Sequence, residues 1–101
     1  MKAIWTRLAL ESEDEIIEYL KVKWTYQVLV SFLDTVDKTI ISLESNPYIG
    51  HIYVINPKYR KILVTEHTYL FYRVDEELKE LVLILFWPTS QDPEELKMFF
   101  P

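Results

Sequence analysis

The chain has 101 residues, half of them apolar and 15% aromatic, and carries a formal net charge of −5 at pH 7. This length and composition predict one folded domain over residues 1–101 and exclude a disordered chain. The lack of cysteine excludes disulfides and cysteine-type zinc sites. No apolar run approaches the roughly 18 residues of a membrane span. We expect a cytoplasmic protein with no cofactor, no metal and no membrane contact.

The chain begins with a segment typical of a strand and then of a helix. Residues 2–8 (KAIWTRL) predict a short strand. Ser12 is followed three residues later by Glu15, which is a capping-box pattern, and apolar residues then recur at helical spacing. The first helix is therefore predicted over residues 13–23.

A second helix follows with almost no connecting loop. Thr25 is its predicted N-cap, and Asn46-Pro47 is expected to end it. One apolar stripe runs along it and comprises Leu29, Phe32, Leu33, Val36, Ile40 and Leu43. The two helices therefore form a predicted helical hairpin.

The remainder of the chain predicts an antiparallel sheet. Residues 59–66, 69–75 and 80–87 are rich in β-branched and aromatic side chains. The element order β–α–α–β–β–β indicates an α+β fold in which the helical hairpin packs on one face of a twisted antiparallel sheet. We expect Trp5, Trp24 and Trp87 to be core residues rather than platforms for base stacking.

Both faces of this sheet are predicted to be largely apolar. A turn centred on residues 67–68 would place Ile62 opposite Arg73, with Arg60 on the same face as Arg73. That face would also carry Val64, Phe71, Val82, Ile84 and Phe86; the other would carry Leu63, Leu70, Tyr72, Val74, Leu81, Leu83 and Leu85. Two helices cover only one face, so the second needs another cover. We favour a partner protein, and the alternative is the C-terminal tail of the chain itself.

Charge is distributed unevenly along the sequence. Residues 11–18 contain five acids and no base, which is typical of a solvated helix start. By contrast, Lys58, Arg60, Lys61 and Arg73 lie in a stretch with a single acid, Glu66. The sequence thus predicts an acidic helical end and a basic hairpin.

Five features in this order and spacing resemble the RelE/ParE superfamily of toxins from type II toxin–antitoxin modules. They are the early strand, ALESEDEIIEYLKVKW, the segment LESNPYIGH, YRKILVTEHTYLFYRV and LVLILFWPTSQDPEEL. The resemblance spans nearly the whole chain and implies a helical hairpin on a twisted sheet, held by a cognate antitoxin in an addiction or plasmid-stabilisation module. It implies that the open sheet face binds ribosome-bound messenger RNA in RelE-like members and DNA gyrase in ParE-like members.

The resemblance also suggests candidate catalytic residues. RNA cleavage through a 2′-hydroxyl needs a base, cations for the phosphorane and an acid for the leaving oxygen. Lys58, Arg60, Lys61 and Arg73 are the candidate cations. However, the end of the last predicted strand, FWPTSQDP, contains no Arg, His or Tyr.

We therefore interpret the chain as a ParE-like toxin that binds a protein target such as DNA gyrase. Its predicted target- or antitoxin-binding residues are Arg60, Arg73, Phe71, Phe86 and Trp87. Alternatives are a ribosome-dependent messenger-RNA endoribonuclease using Arg60, Arg73 and Lys61, or a toxin fold that keeps only antitoxin binding. The expected assemblies are a homodimer or a heterotetramer with the antitoxin.

Overall fold

The computed structural model describes residues 1–100 and contains a five-stranded sheet, two long helices and a short C-terminal helix. Its elements are β1 (Lys2–Trp5), α1 (Arg7–Lys23), α2 (Tyr26–Ser45), β2 (His51–Ile52), β3 (Arg60–Thr65), β4 (Thr68–Asp75), β5 (Glu80–Pro88) and α3 (Pro93–Leu96). A 3₁₀ turn, Lys97–Phe99, follows α3.

The strand order across the sheet is β1-β5-β4-β3-β2. β1 joins β5 in parallel, and the other three pairings are antiparallel. The predicted α+β class with a helical hairpin on one sheet face is confirmed. The sheet is mixed rather than wholly antiparallel as expected, because β1 lies parallel to β5 at one edge.

Helix α1 starts earlier than the capping pattern predicted. Thr6 is the N-cap, and its hydroxyl accepts a hydrogen bond of 3.1 Å from the Ala9 N–H. Ser12 instead lies buried within the helix, where it accepts a 2.9 Å bond from the Phe86 N–H. β1 ends opposite Leu83, so the next part of the β5 edge lacks a strand partner. The Thr6 hydroxyl also donates to the Leu83 carbonyl. The side chains of Thr6 and Ser12 therefore pair with backbone groups along this edge of β5.

Helix α2 follows the predicted pattern closely. Thr25 caps it through a bond from Val28 N–H, and the helix ends at Ser45 before Asn46-Pro47. The predicted stripe faces the sheet: Leu29, Phe32, Val36, Ile40 and Leu43 are buried, and Leu33 packs at the margin of the core. This core also takes Leu70, Tyr72, Leu81, Leu83 and Phe86 from the strands.

The register of the β3–β4 hairpin differs from the predicted one. Ile62 pairs with Leu70 rather than with Arg73, because the turn is at residues 66–67 and the pairing shifts between Leu63 and Thr65. This odd offset reverses the relative facing of the two strands. A second shift, between Phe71 and Tyr72 in the β4–β5 pairing, reorders the faces of β5.

The sheet face away from the main core is covered by the chain's own C-terminus. Leu96 and Phe100 pack on Phe71, Leu85 and Trp87, and Tyr53 completes the cluster; we call this the tail cluster. The alternative cover foreseen from the sequence is therefore the one observed. An isolated chain thus buries apolar side chains on both faces of its sheet.

Candidate functional site

The β3–β4 hairpin separates the two candidate arginines. Arg60 lies directly opposite Tyr72, whose ring is in the main core beneath the helices. Arg73 is the next residue after Tyr72, so its side chain points to the other face of the sheet. The prediction that Arg60 and Arg73 share a face is wrong. The two guanidinium groups cannot act together from one side of the sheet.

Arg60 is used to hold the loop that follows α2. Its Nη1 donates to the Gly50 carbonyl at 2.9 Å and to the Tyr48 carbonyl at 3.3 Å. Its guanidinium also lies 5.1 Å from the centre of the Tyr48 ring, which is a favourable cation–π distance. Arg60 is therefore a positioning residue for the loop rather than a free cation.

Tyr72 holds the same loop from inside the core. Its hydroxyl donates to the Pro47 carbonyl at 2.8 Å and accepts from the Gly50 N–H at 2.9 Å. Burial raises the pKa of the Tyr72 phenol, while the bond from Gly50 and the nearby charge of Arg60 oppose this rise. A Cβ at Gly50 would lie 2.3 Å from the Tyr72 hydroxyl, so glycine is required there by close approach. Tyr72 lies 22 residues after Gly50, so no local signal in the sequence indicates this pairing.

The remaining candidate cations lie apart from Arg60 and each has a local partner. Arg73 is 3.7 Å from the carboxylate of Asp75. Lys61 lies 4.8 Å from the centre of the Tyr69 ring, and Lys58 lies 5.4 Å from that of Tyr59. Lys61 pairs with Phe71 across the strands, so it shares the tail-cluster face with Arg73.

The three apolar residues predicted to bind a target are buried in two different environments. Phe71 is 1% exposed and packs edge-on against Tyr53 and in a tilted contact with Phe100, so the tail covers it. Phe86 lies in the main core beside Trp5, not on the Phe71 face, which corrects the predicted grouping. Trp87 belongs to the tail cluster and contacts Phe99. Their roles in binding stay predictions.

Neither histidine forms part of a recognisable catalytic or metal centre. His67 is in the β3–β4 turn, 3.3 Å from Glu66, and His51 is exposed on β2. Among residues 1–100, no group of three or more His, Asp and Glu side chains is placed to hold a metal ion. In the same part of the chain, no helix has the length and apolarity to cross a membrane.

A large groove of about 1030 Å³ opens at the end of the molecule where the helical hairpin turns. It runs between α1, α2, the β3–β4 turn and the C-terminal tail. Its apolar lining includes Ile16, Leu20, Trp24, Phe32, Phe86 and Trp87. Trp24, which we expected in the core, is 58% exposed here. Phe86 and Trp87 both line this groove, although Phe86 belongs to the main core and Trp87 to the tail cluster on the other face of the sheet.

Comparison with known proteins places the chain in a family. The sequence model described as "ParE toxin of type II toxin-antitoxin system, parDE" matches residues 3–93. The chain belongs to the ParE toxin family. The match includes α1, α2 and all of β2 to β5. It therefore covers the helices and the strands that line the groove. No curated protein sequence matches this toxin.

Solved structures agree on the fold. The YoeB/ParE toxin from Agrobacterium tumefaciens superposes with a TM-score of 0.63 at 16% identity, over 89% of this chain and 100% of that chain. A mutant of the E. coli toxin RelE in which two arginines are replaced by alanine, in complex with an antitoxin RelBc peptide, superposes with a TM-score of 0.61 at 16% identity, over 99% of this chain and 94% of that chain. The resemblance to the RelE/ParE superfamily inferred from the sequence is confirmed. This toxin shares the fold of both groups.

Proposed function

We propose that this ParE-family toxin acts by binding a protein target, DNA gyrase, without chemistry of its own, and that a cognate antitoxin neutralises it. The observation that carries the proposal is the placement of the two candidate arginines, Arg60 and Arg73, on opposite faces of the sheet. Catalysis of RNA cleavage requires charges that converge on one phosphate group together with a proton donor and acceptor. Here Arg60 holds a loop on one side of the sheet and Arg73 lies beside Asp75 on the other.

The net charge supports the same proposal. Affinity for RNA within a ribosome depends strongly on neutralising phosphates with Lys and Arg. A chain with a formal charge of −5 is poorly matched to that environment. A protein target imposes no such requirement, because its surface can complement either sign.

The test compares the two activities with one purified protein. Gyrase supercoiling of relaxed plasmid is measured with increasing toxin, and primer extension on translating ribosomes reports any cut in messenger RNA. We expect inhibition of gyrase and an uncut message. Arg73→Ala should weaken gyrase inhibition because Arg73 lies on the tail-cluster face, and Lys38→Ala on α2, where Lys38 pairs with Asp34 at 2.9 Å, is the matched control.

Two results would contradict the proposal. Codon-specific cuts in ribosome-bound message that disappear in Lys61→Ala would instead identify a ribonuclease, in which Lys61 and the adjacent Tyr69 hydroxyl would be the groups to examine first. A toxin that affects neither gyrase nor translation, yet binds its antitoxin, would indicate a fold that has kept antitoxin binding alone.

A further inference from the structure

The segment between α2 and β3, which contains β2, carries large apolar side chains that stand open to solvent. They are Tyr48, Ile49, Ile52, Val54 and Ile55, and we call them the loop patch. We propose that the loop patch, together with Lys58 and Lys61, is a contact surface for the protein target, and that the target places a segment of aliphatic and acidic side chains against it. This inference deepens the proposed function and rests on it, because it presupposes a protein target.

The loop that carries the patch is held at both of its ends. Near its start, the Gly50 N–H and carbonyl are bound by the side chains that hold this loop on β3 and β4. Towards its end, the Tyr53 N–H donates to the Tyr59 carbonyl at 2.9 Å, and the Tyr59 N–H donates to the Asn56 carbonyl at 3.0 Å. The Tyr53 side chain is buried in the tail cluster. A loop ordered in this way loses little conformational entropy when a partner binds it.

The tip of this ordered loop is apolar, and it is not used by the fold. Val54 is 83% exposed and Ile55 is 59% exposed. Neither residue belongs to the main core or to the tail cluster. Their exposure therefore contributes nothing to folding, whereas association with another protein would remove their apolar surface from water. Exposed apolar side chains grouped on one loop are typical of an interaction surface.

The charge around the loop patch indicates what the partner presents. Residues 46–64 contain Lys58, Arg60 and Lys61 and no Asp or Glu, in a chain whose formal charge is −5. None of the ion pairs formed within residues 1–100 includes these three side chains. Arg60 is bound to carbonyls of the loop, so Lys58 and Lys61 are the cations that a partner's carboxylates would meet. An aliphatic surface flanked by Asp and Glu is complementary to this arrangement.

The same features favour a foreign protein over other occupants. Interfaces with nucleic acids are more polar than those between proteins and depend on phosphate contacts, so the aliphatic tip at Val54 and Ile55 would be unmatched there. A second copy of the toxin that docked through the same patch would bring each lysine of one copy towards those of the other. Like charges placed together in this way oppose a symmetric dimer.

The loop patch adjoins the face that the proposed function assigns to the target. Lys58, Tyr59 and Arg73 line one cavity of about 550 Å³, so the loop is continuous with the surroundings of Arg73. The other residues of this cavity include Asp75, Glu76 and Glu77, which end the positive surface on that side. None of residues 33–64 lines the groove at the turn of the helical hairpin. The loop patch is therefore a surface separate from that groove.

The first test uses peptides and does not depend on the identity of the target. Two synthetic peptides of equal length share the same leucines and isoleucines, with Asp and Glu between them in one and Lys in the other. Each is titrated into isotope-labelled toxin, and the amide resonances are followed by NMR. The acidic peptide should shift the amides of residues 48–61, and the lysine peptide should leave them unchanged. The shifts should disappear in Lys58→Glu.

The second test measures binding of purified gyrase by calorimetry, together with inhibition of supercoiling. Val54→Asp should weaken binding by about tenfold or more, because it places a charge in the apolar part of the contact. Lys58→Glu should weaken it by about 2–10-fold at low salt, and that difference should shrink as salt is added.

Matched controls are available on α1, away from the loop. Val22→Asp makes the same substitution at a position that is 76% exposed, and Lys23→Glu makes the same charge reversal at the exposed end of the helix. Both should leave the affinity for gyrase within about twofold. Circular dichroism melting of each variant verifies the fold, which exposed substitutions change little.

Several outcomes would overturn the inference. They are equal shifts from the two peptides, no shift within residues 48–61, tighter binding of single-stranded oligothymidylate to the same residues, or a toxin dimer that Val54→Asp converts to a monomer. Gyrase binding that survives both Val54→Asp and Lys58→Glu would overturn it as well, while leaving the proposed function intact. By contrast, a toxin that does not bind gyrase but takes the acidic peptide on residues 48–61 would count against the proposed target only.

Discussion

Removing the hydroxyl of Tyr72 should destabilise the toxin measurably, because two backbone groups of the loop after α2 depend on it. Tyr72→Phe deletes the bonds to the Gly50 N–H and the Pro47 carbonyl, of 2.9 Å and 2.8 Å. Gly50 is buried, so its N–H would lose its partner with no water to replace it, at a cost of about 1–3 kcal/mol. The half-buried Pro47 carbonyl should add little, since solvent reaches that residue.

The assay is urea and thermal unfolding followed by circular dichroism. A loss of about 1 kcal/mol lowers the melting temperature of a domain of this size by roughly 4–8 °C. Tyr26→Phe is the control, because the Tyr26 side chain is 77% exposed and its variant should be neutral. An unchanged midpoint for Tyr72→Phe would refute the reasoning, since it would mean that the loop does not need this hydroxyl.

A double-mutant cycle sharpens this prediction. Gly50→Ala places a methyl group 2.3 Å from the Tyr72 hydroxyl and 2.8 Å from a ring carbon, so the alanine should be strongly destabilising alone. In the Tyr72→Phe background the closest atom is gone and only the ring contact remains. The two losses should therefore be less than additive, by about 0.5–3 kcal/mol for residues in contact. Free-energy losses that simply add would contradict the close contact between Gly50 and the Tyr72 hydroxyl.

Two further substitutions probe helix α1. Ser12→Ala should cost about 1–3 kcal/mol, because it leaves a buried β5 backbone N–H unpaired, whereas Ser42→Ala on the exposed side of α2 should be nearly neutral; unfolding midpoints report both. Burial and the carboxylate of Asp37 raise the pKa of Glu13 above 4.5. The folded state therefore holds the carboxyl proton of Glu13 more tightly than the unfolded state does, so the stability of the fold falls as the pH rises from 4.5 through the raised pKa. Glu13→Gln should therefore stabilise the toxin at pH 7 and lose this advantage below pH 4.5, as denaturation at both pH values would report, with Glu77→Gln as the charge-matched control.

The sequence was informative wherever one periodic signal dominated. The stripe on α2 is unambiguous because its apolar residues recur over more than three turns, and Thr25 and Asn46-Pro47 bound it on both sides. The three long strands after Pro47 and the class of fold followed from the change of period there, whereas the short strand β2 was not predicted. These features depend on short stretches of sequence, so one amino-acid sequence is enough to predict them.

Features that depend on pairing between distant segments were not predictable. The capping pattern at Ser12 was misread because α1 had already begun after its N-cap Thr6, and the Ser12 hydroxyl accepts a bond from a strand residue 74 positions away. The β3–β4 register was wrong because the turn and the irregularity near Val64 each shift the alignment without a marked sequence signal. Trp24 was assigned to the core from its residue type, yet it lines the groove.

The same limitation governs the search for functional residues. Arg60 is a candidate cation by residue type and by its place in a basic hairpin, but its nearest acceptors are the carbonyls of Gly50 and Tyr48. Replacing Arg60 would release the loop that Tyr72 also holds, so a loss of toxicity would not distinguish a contact with the target from a displaced loop. Within residues 1–100, Arg73 forms one ion pair, with the carboxylate of Asp75 at 3.7 Å, and it lies on the same sheet face as Lys61. Substitution of Arg73 therefore reports on target contact with little structural disturbance, which makes it the better residue for separating a binding toxin from a nuclease.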